Sequence, residues 1–342
     1  MTTPLTRHEQ APAGEDAATA EILRIIKLKL RGQFPAGQGD MRRDAHPKHH
    51  GAVRAELVVE PNLPPELAVG VFRAARSYPA WVRFSNGSGT VQADHLRDGR
   101  GIAIKLMDVD GPKLMSDESR TQDFLFINHD VFAVKDASDY VELFRIIERD
   151  GVPTKFFLGL NPFKWHLKEL ANAGKIRVQI SNLLTLQYFT MTPYLMGDTP
   201  AKFSMRPQVL ANTGAPPNSA PDYLRSAMAE QLSREGVAFD FMVQLQGDVR
   251  SMPVEDPRIR WEPSLSPWRK VATLRIPKQT FDSPAQLQFA EDLSYSPWHS
   301  VPEHQPLGGV NRCRRIIYHA ISEFRHSANG RKAIESTGTE QF

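Results

Sequence analysis

The sequence predicts an α+β fold: an antiparallel β-barrel with α-helices inserted into it and packed around it. Short segments of period-two hydrophobic alternation come as a run in the first third of the chain. Helical patterns gather later, so strands and helices do not alternate as they would in a parallel sheet. No internal repeat or long low-complexity segment points to a solenoid or a propeller.

The elements follow in order. Residues 1–16 are polar and expected as a flexible tail. Residues 17–34 carry Ile22, Leu23, Ile26, Leu28 and Leu30 among charges and read as a helix stopped by Pro35. Residues 36–50 are loop-like and rich in Gly, Arg and His. Residues 52–60 are a strand with Val53, Ala55, Leu57 and Val59 on one face, and 81–85, 101–107 and 124–134 are further strands. Residues 138–149 form a helix opened by Ser138, with Val141, Phe144 and Ile147 inward. Residues 161–173 begin Asn-Pro and read as helix. Residues 176–195 are ambiguous, with a helical start and a strand-like 188–191. Strands are expected at 201–209, 237–247 and 271–277, and helices at 220–236, 284–293 and 311–325. One domain spans 17–328, with a second tail over 329–342.

Composition bounds the function. The 342 residues are 41% hydrophobic and 24% charged, as in a soluble globular protein. No apolar run approaches the roughly 20 residues of a membrane span. A formal net charge of +3 is too small to imply nucleic acid as partner. The one cysteine, Cys313, excludes an internal disulfide framework, and the N-terminus shows no secretory signal, so cytoplasm is the expected location.

Chemistry concentrates in five segments. On the last helix Arg314, Tyr318, Ser322 and Arg325 fall at steps of four, four and three and share one face, opposite Ile316, Ile317, Ile321 and Phe324. An arginine one turn before a tyrosine favours the phenolate, a ligand for ferric iron, and Arg325 lies within reach of a haem propionate. The competing reading is a solvated basic face. In the loop, His46, His49 and His50 fall within five residues; they suit a metal, a solvated loop or one catalytic base. Arg83 and Ser85 share a strand face that is either wet or the wall of a polar pocket. The charged turn at 94–105 reads as structural. Asn128 is either a turn asparagine or a donor to a bound oxygen species.

Together these segments resemble the haem catalase family. Residues 43–52 match its Arg-x-x-His-x-Lys/Arg-x-x-Gly-Ala segment, and 82–85 its Val-Arg-Phe-Ser. Residues 97–105 match Arg-Asp-x-Arg-Gly-x-Ala-x-Lys, 123–136 echo the asparagine segment, and Arg314, Tyr318 and Arg325 match the proximal one. The resemblance covers about residues 40 to 326 and looks closest to the short catalase-like peroxidases. It implies haem b, with Tyr318 as iron ligand, Arg314 keeping it ionised, and Arg43, Arg83 and Arg325 near the propionates. It implies His46 as distal acid–base, Ser85 bonded to it, Asn128 as its distal partner, and Tyr140 where the family stacks a phenylalanine near the haem. Three departures stand out. Ile127 occupies the position of the family's catalytic asparagine, Ser322 replaces a histidine, and His49 and His50 have no counterpart.

The implied activity is reduction of hydrogen peroxide or an organic hydroperoxide, with a role in the oxidative stress response. An organic donor returning the electrons makes a peroxidase, and a second peroxide makes a catalase. Isomerisation of a lipid hydroperoxide, as in allene oxide synthases, needs no donor. A haem carrier or sensor and a haem-free barrel for an apolar ligand are the non-enzymatic rivals, and a homo-oligomer is compatible with all of them. The short segments before residue 43 and after Arg325 favour a shallow pocket, and with it peroxidase over catalase.

Overall fold

The computed structural model describes residues 5–150, 153–158, 165–211, 214–216 and 220–342. Strands β1 (His49–Val59), β2 (Ser77–Asn86), β3 (Arg100–Leu106) and β4 (Gln122–Ile127) form an antiparallel meander. Strands β5 (Tyr188–Phe189), β6 (Tyr194–Met196), β7 (Thr199–Pro207), β8 (Val237–Leu245) and β9 (Arg269–Ile276) complete the sheet. Strand β9 pairs back onto β1, and β5 bridges β4 and β7. Eight strands thus close into a ring, with β6 as a hairpin arm on β7.

The ring is filled. Val53, Leu57, Val82, Phe84, Ile104, Phe124, Phe203, Phe241 and Leu274 belong to one buried cluster. Phe124 meets Phe203 and Phe241 edge-on, with ring centroids 5.4 and 5.0 Å apart. Such pairs add about 0.5–1.5 kcal/mol each beyond the area they bury. This packing leaves the barrel interior to apolar side chains. Alternation sends Arg83 and Ser85 to the side of β2 opposite Val82 and Phe84, which is the outer wall.

Helices cover that wall. Helices α1 (Glu15–Gln33), α2 (Ala137–Asp150) and α7 (Gly309–Ala328) share a core of Ile22, Ile26, Leu30, Met41, Val141, Ile317 and Ile321. Helix α6 (Pro284–Asp292) lays Phe289, Ala290 and the following Leu293 on Ala52 and Trp81. It starts at a capping box: Ser283 Oγ accepts from the Gln286 N–H, and the Gln286 side chain accepts from the Ser283 N–H. The remaining helices are α3 (Thr154–Phe157), α4 (Leu167–Ile176) and α5 (Tyr223–Arg234).

Several boundaries differ from expectation. The strand expected over 124–134 stops at Ile127, because the Asn128 amide caps it by bonding the Arg100 N–H and the Ile176 carbonyl. The ambiguous 176–195 stretch is broken into one 3₁₀ turn and the short β5 and β6. Residues 161–164 of the helix expected at 161–173 lie outside the described residues, and α4 begins at Leu167. Ile316, expected on the apolar face of α7, is 40% exposed; its neighbour Ile317 takes the inward position. At the chain ends, Glu9 and Glu15 pair with Arg312 of α7, and the Trp81 Nε1–H donates to Glu340. Among the described residues, no helix is long and apolar enough to cross a membrane.

Candidate active site

The outer wall presents its side chains in rows, because neighbouring strands are in register. Ser85 of β2 pairs with Gly101 of β3, and Gly101 with Ile127 of β4. The next row is Arg83, Ala103 and Leu125, and the one beyond it is Trp81, Lys105 and Asp123.

His46 packs on the first row. Its backbone is left-handed, with a φ of 61°, a conformation that histidine adopts more readily than most residues. Its Nδ1 lies 3.0 Å from Ser85 Oγ. A Cβ on Gly101 would fall 2.6 Å from His46 Cε1, so the imidazole occupies the space that glycine leaves. Burial pushes the His46 pKa down to about 4, and the charges of Arg83, Arg314 and Arg43 add to the effect. The imidazole is therefore neutral at pH 7. Gly101→Ala should push the ring off Ser85, and a misplacement of about 1 Å can cost about 10²-fold in rate. Stopped-flow mixing of this variant with peroxide checks the expectation; a wild-type rate would mean that the ring relaxes elsewhere without loss.

The other two histidines are engaged differently. His50 is fully buried, with Nε2 2.9 Å from Asn86 Oδ1. Its neighbourhood is a network in which Asn86 also takes Arg100 and Asp94. His49 Nε2 is 3.5 Å from Glu291 Oε2.

Helix α7 supplies the opposing face. The Arg314 guanidinium lies over the Tyr318 ring at 4.9 Å and donates from Nη2 to Tyr318 Oη at 3.2 Å. Ser322 Oγ is 2.7 Å from Ser294 Oγ. The face is thus docked on the protein, and the solvated reading of it does not hold. Tyr140 packs edge-on between Phe132 and Phe144, and burial raises its phenol pKa, with Tyr318 and Arg314 among the groups that act on it. Asn128 spends both ends of its amide on backbone, Oδ1 accepting from Arg100 at 2.6 Å and Nδ2 donating to Ile176 at 2.8 Å.

Two arginines from distant segments, Arg43 and Arg325, meet on the Glu291 carboxylate, with a third, Arg83, buried nearby. Arg43 donates from Nη1 to Glu291 Oε1 at 3.0 Å and from Nη2 to the Leu293 carbonyl. Arg325 donates from Nη1 to the Glu291 carbonyl at 2.9 Å and reaches Oε1 at 3.4 Å. Arg83 is 3% exposed and bonds the His46 carbonyl from Nη2 at 3.0 Å, while its Nε has no partner. Burial, and then repulsion from Arg43, lowers both Arg83 and Arg325 to about 9. Glu291 sits in the last turn of α6, so the helix dipole also draws the guanidiniums there.

Comparison with solved structures decides the architecture. A fungal catalase superposes with a TM-score of 0.67 at 16% identity, over 96% of this chain and 66% of its own. A bacterial catalase gives 0.64 at 13% identity, over 95% and 63%, and catalase A from Saccharomyces cerevisiae gives 0.64 at 15%, over 95% and 67%. The chain has the catalase fold. It spans about two thirds of the length of the catalases it matches. No protein-family model and no curated protein matches the sequence.

Within this catalase fold the residues present fit a haem. Arg43 and Arg325 share Glu291, and the buried Arg83 carries a third guanidinium charge close enough to feel both, an excess of positive charge that would suit propionates. Arg83 Nε is a buried donor without an acceptor, and Tyr318, bonded by Arg314, would present an oxygen to the iron. A cavity of about 340 Å³ lies against Tyr318, bounded also by Ser294, Tyr295, His299, Ser322 and His326. Of the residues named for the site, this cavity touches Tyr318 and Ser322 but not His46, Arg43, Arg83, Arg314 or Arg325, and a cavity of about 670 Å³ lined by Arg54, Leu184, Val209 and Ile276 touches none of them.

Gly101 and Glu291 were not singled out in the sequence. A glycine inside a strand pattern signals close approach and was available for Gly101. An acid in a short helix far along the chain carries no such signal.

Beside the site, His299 and Lys105 sit among acids. His299 Nδ1 is 2.9 Å from Asp123 Oδ2, its Nε2 3.0 Å from Asp117 Oδ2, and Lys105 pairs with Asp123 and Glu118. Burial opposes the His299 charge, but Asp117 and Asp123 prevail and raise its pKa to about 9. His299 therefore stabilises the fold fully below its ordinary 6.5, and this contribution is lost as pH rises through 9. His46 and His304, both lowered to about 4 by burial, do the reverse: their contribution is whole above 6.5 and lost as pH falls through 4. Each depressed imidazole costs on the order of 3 kcal/mol once charged. Thermal unfolding of the haem-free protein should be latest near pH 6.5 and come earlier on both sides. A midpoint that keeps rising towards pH 4 would contradict these burials.

Proposed function

We propose that the protein is a haem b peroxidase of the catalase type, reducing hydrogen peroxide or organic hydroperoxides. The observation that carries the reading is the pairing of a neutral, serine-held imidazole on the barrel wall with an arginine-bonded tyrosine on α7. Arg314 is also among the charges that hold the His46 pKa down, which supports reading the two halves as one site.

Tyr318 would hold the iron, and Arg43, Arg83 and Arg325 the propionates. When bound, the haem supplies the electrons that cleave the peroxide O–O bond. The chain's own part is proton management. With Nδ1 donating to Ser85 Oγ, Nε2 of His46 would be the atom to accept a proton from the near peroxide oxygen and return it to the leaving one. Ser85 keeps the ring from rotating, and the left-handed backbone sets its angle. Arg83 ties the loop down by bonding the His46 carbonyl.

Ile127 favours peroxidase over disproportionation. It shares its row with Ser85 and Gly101, and the neighbouring Asn128 amide is bound to backbone. The distal wall therefore offers one acid–base group beside an apolar surface, which suits an alkyl hydroperoxide better than a second hydrogen peroxide. The catalase neighbours favour the alternative, disproportionation. Steady-state kinetics with peroxide alone, and then with an aromatic donor, tests the choice. The expected result is slow oxygen release and fast donor oxidation; rapid oxygen release with the donor barely consumed would establish the alternative.

A further inference from the structure

The structure assigns Asn311 the task of positioning the iron-ligand pair, an inference that rests on reading Tyr318 as the ligand. Asn311 lies on α7 three residues before Arg314 and is 0% exposed. Its amide uses every hydrogen-bonding position. Oδ1 accepts from Arg314 Nη1 at 3.0 Å and from Thr192 Oγ1 at 3.1 Å. Nδ2 donates to the carbonyls of Pro193 and Leu307, each at 3.0 Å. Two carbonyl acceptors on one end settle which way the amide points, since turning it over would set the oxygen against them. The oxygen therefore faces Arg314. The guanidinium is gripped at Nη1 by Asn311 and presents Nη2 to Tyr318 Oη at 3.2 Å.

The chemistry of the residue matters as well as its geometry. A neutral acceptor fixes Arg314 without sharing its charge, so the phenol oxygen receives the full pull of the cation. A carboxylate in the same place would divide that charge between two anions, and the phenolate would become more electron-rich. Asn311 thus aims Arg314 and also leaves it fully cationic towards Tyr318.

The test uses haem-loaded protein and reads the tyrosinate-to-iron charge-transfer band and the ferric/ferrous midpoint potential. Asn311→Asp keeps the acceptor and adds a charge. It should move the band to longer wavelength and lower the potential. Asn311→Ser withdraws the acceptor without adding charge, frees Arg314, and should move both readouts the same way. Trp298→Phe is the structural control: it removes the 2.7 Å bond from Trp298 Nε1 to the Asn311 backbone carbonyl, and should lower the unfolding temperature while leaving the band in place. A band and potential unmoved in both Asn311 variants overturn the proposal, and so does an equal shift in the control, which general loosening would explain. If wild-type protein shows no such band, the ligand reading itself has failed, a result distinct from either.

Discussion

Tyr318→Phe is expected to lose haem, or to retain it only with a grossly altered spectrum. If Tyr318 holds the iron as proposed, its phenol oxygen would be the donor, and Phe removes that oxygen while keeping the ring that Arg314 covers. Loss of a partner that merely orients a metal ligand costs about 10–100-fold in metal affinity, and loss of the ligand itself should cost more. Arg314→Leu should fall in the smaller range, because Tyr318 stays and only its hydrogen-bond donor goes. Haem titration followed by absorbance, with transfer to a haem scavenger for the dissociation rate, separates the two variants. Equal affinities in Tyr318→Phe and wild type would remove the tyrosine from the site.

His46→Ala should keep haem and slow its first reaction with peroxide by about 10²–10⁴-fold, the usual worth of a positioned acid–base group. The sign of the pH dependence follows from the lowered pKa. The neutral imidazole is the working form, so the wild-type rate should stay level from pH 8 to about 5 and fall as pH drops through about 4. The variant should be slow and level over the same range. His49→Ala and His50→Ala should matter less for this step, because neither ring rests on Ser85. A dead His50→Ala beside an active His46→Ala would shift the catalytic role to the buried Asn86 network.

Much of the site was legible because helix and strand periods are local. The steps between Arg314, Tyr318, Ser322 and Arg325 place them on one face whatever the helix packs against. Arg83 and Ser85 share a side of β2 for the same reason. The histidines were harder. They straddle the end of a loop and the start of β1, with His46 before the strand and His49 and His50 inside it, and the choice depends on one left-handed residue and on the space above Gly101. Asn128 shows the opposite case: its polarity in an apolar strand was visible, but its partners at Arg100 and Ile176 come from other segments.

By itself, then, the sequence determined the antiparallel strands, the helices that follow them and the polar face of α7, since each is written in the spacing of neighbouring residues. It did not determine whether the polar row of Arg83 and Ser85 faces into the barrel or out of it. Closure of the ring and its filling with Phe124, Phe203 and Phe241 settled that by leaving the polar rows only the outside. Nor did it bring Glu291 to Arg43 and Arg325, or Asn311 to Thr192. Those meetings depend on where α6 and α7 dock against the sheet, and docking is fixed by complementary surfaces from distant segments, which leave no pattern along the chain.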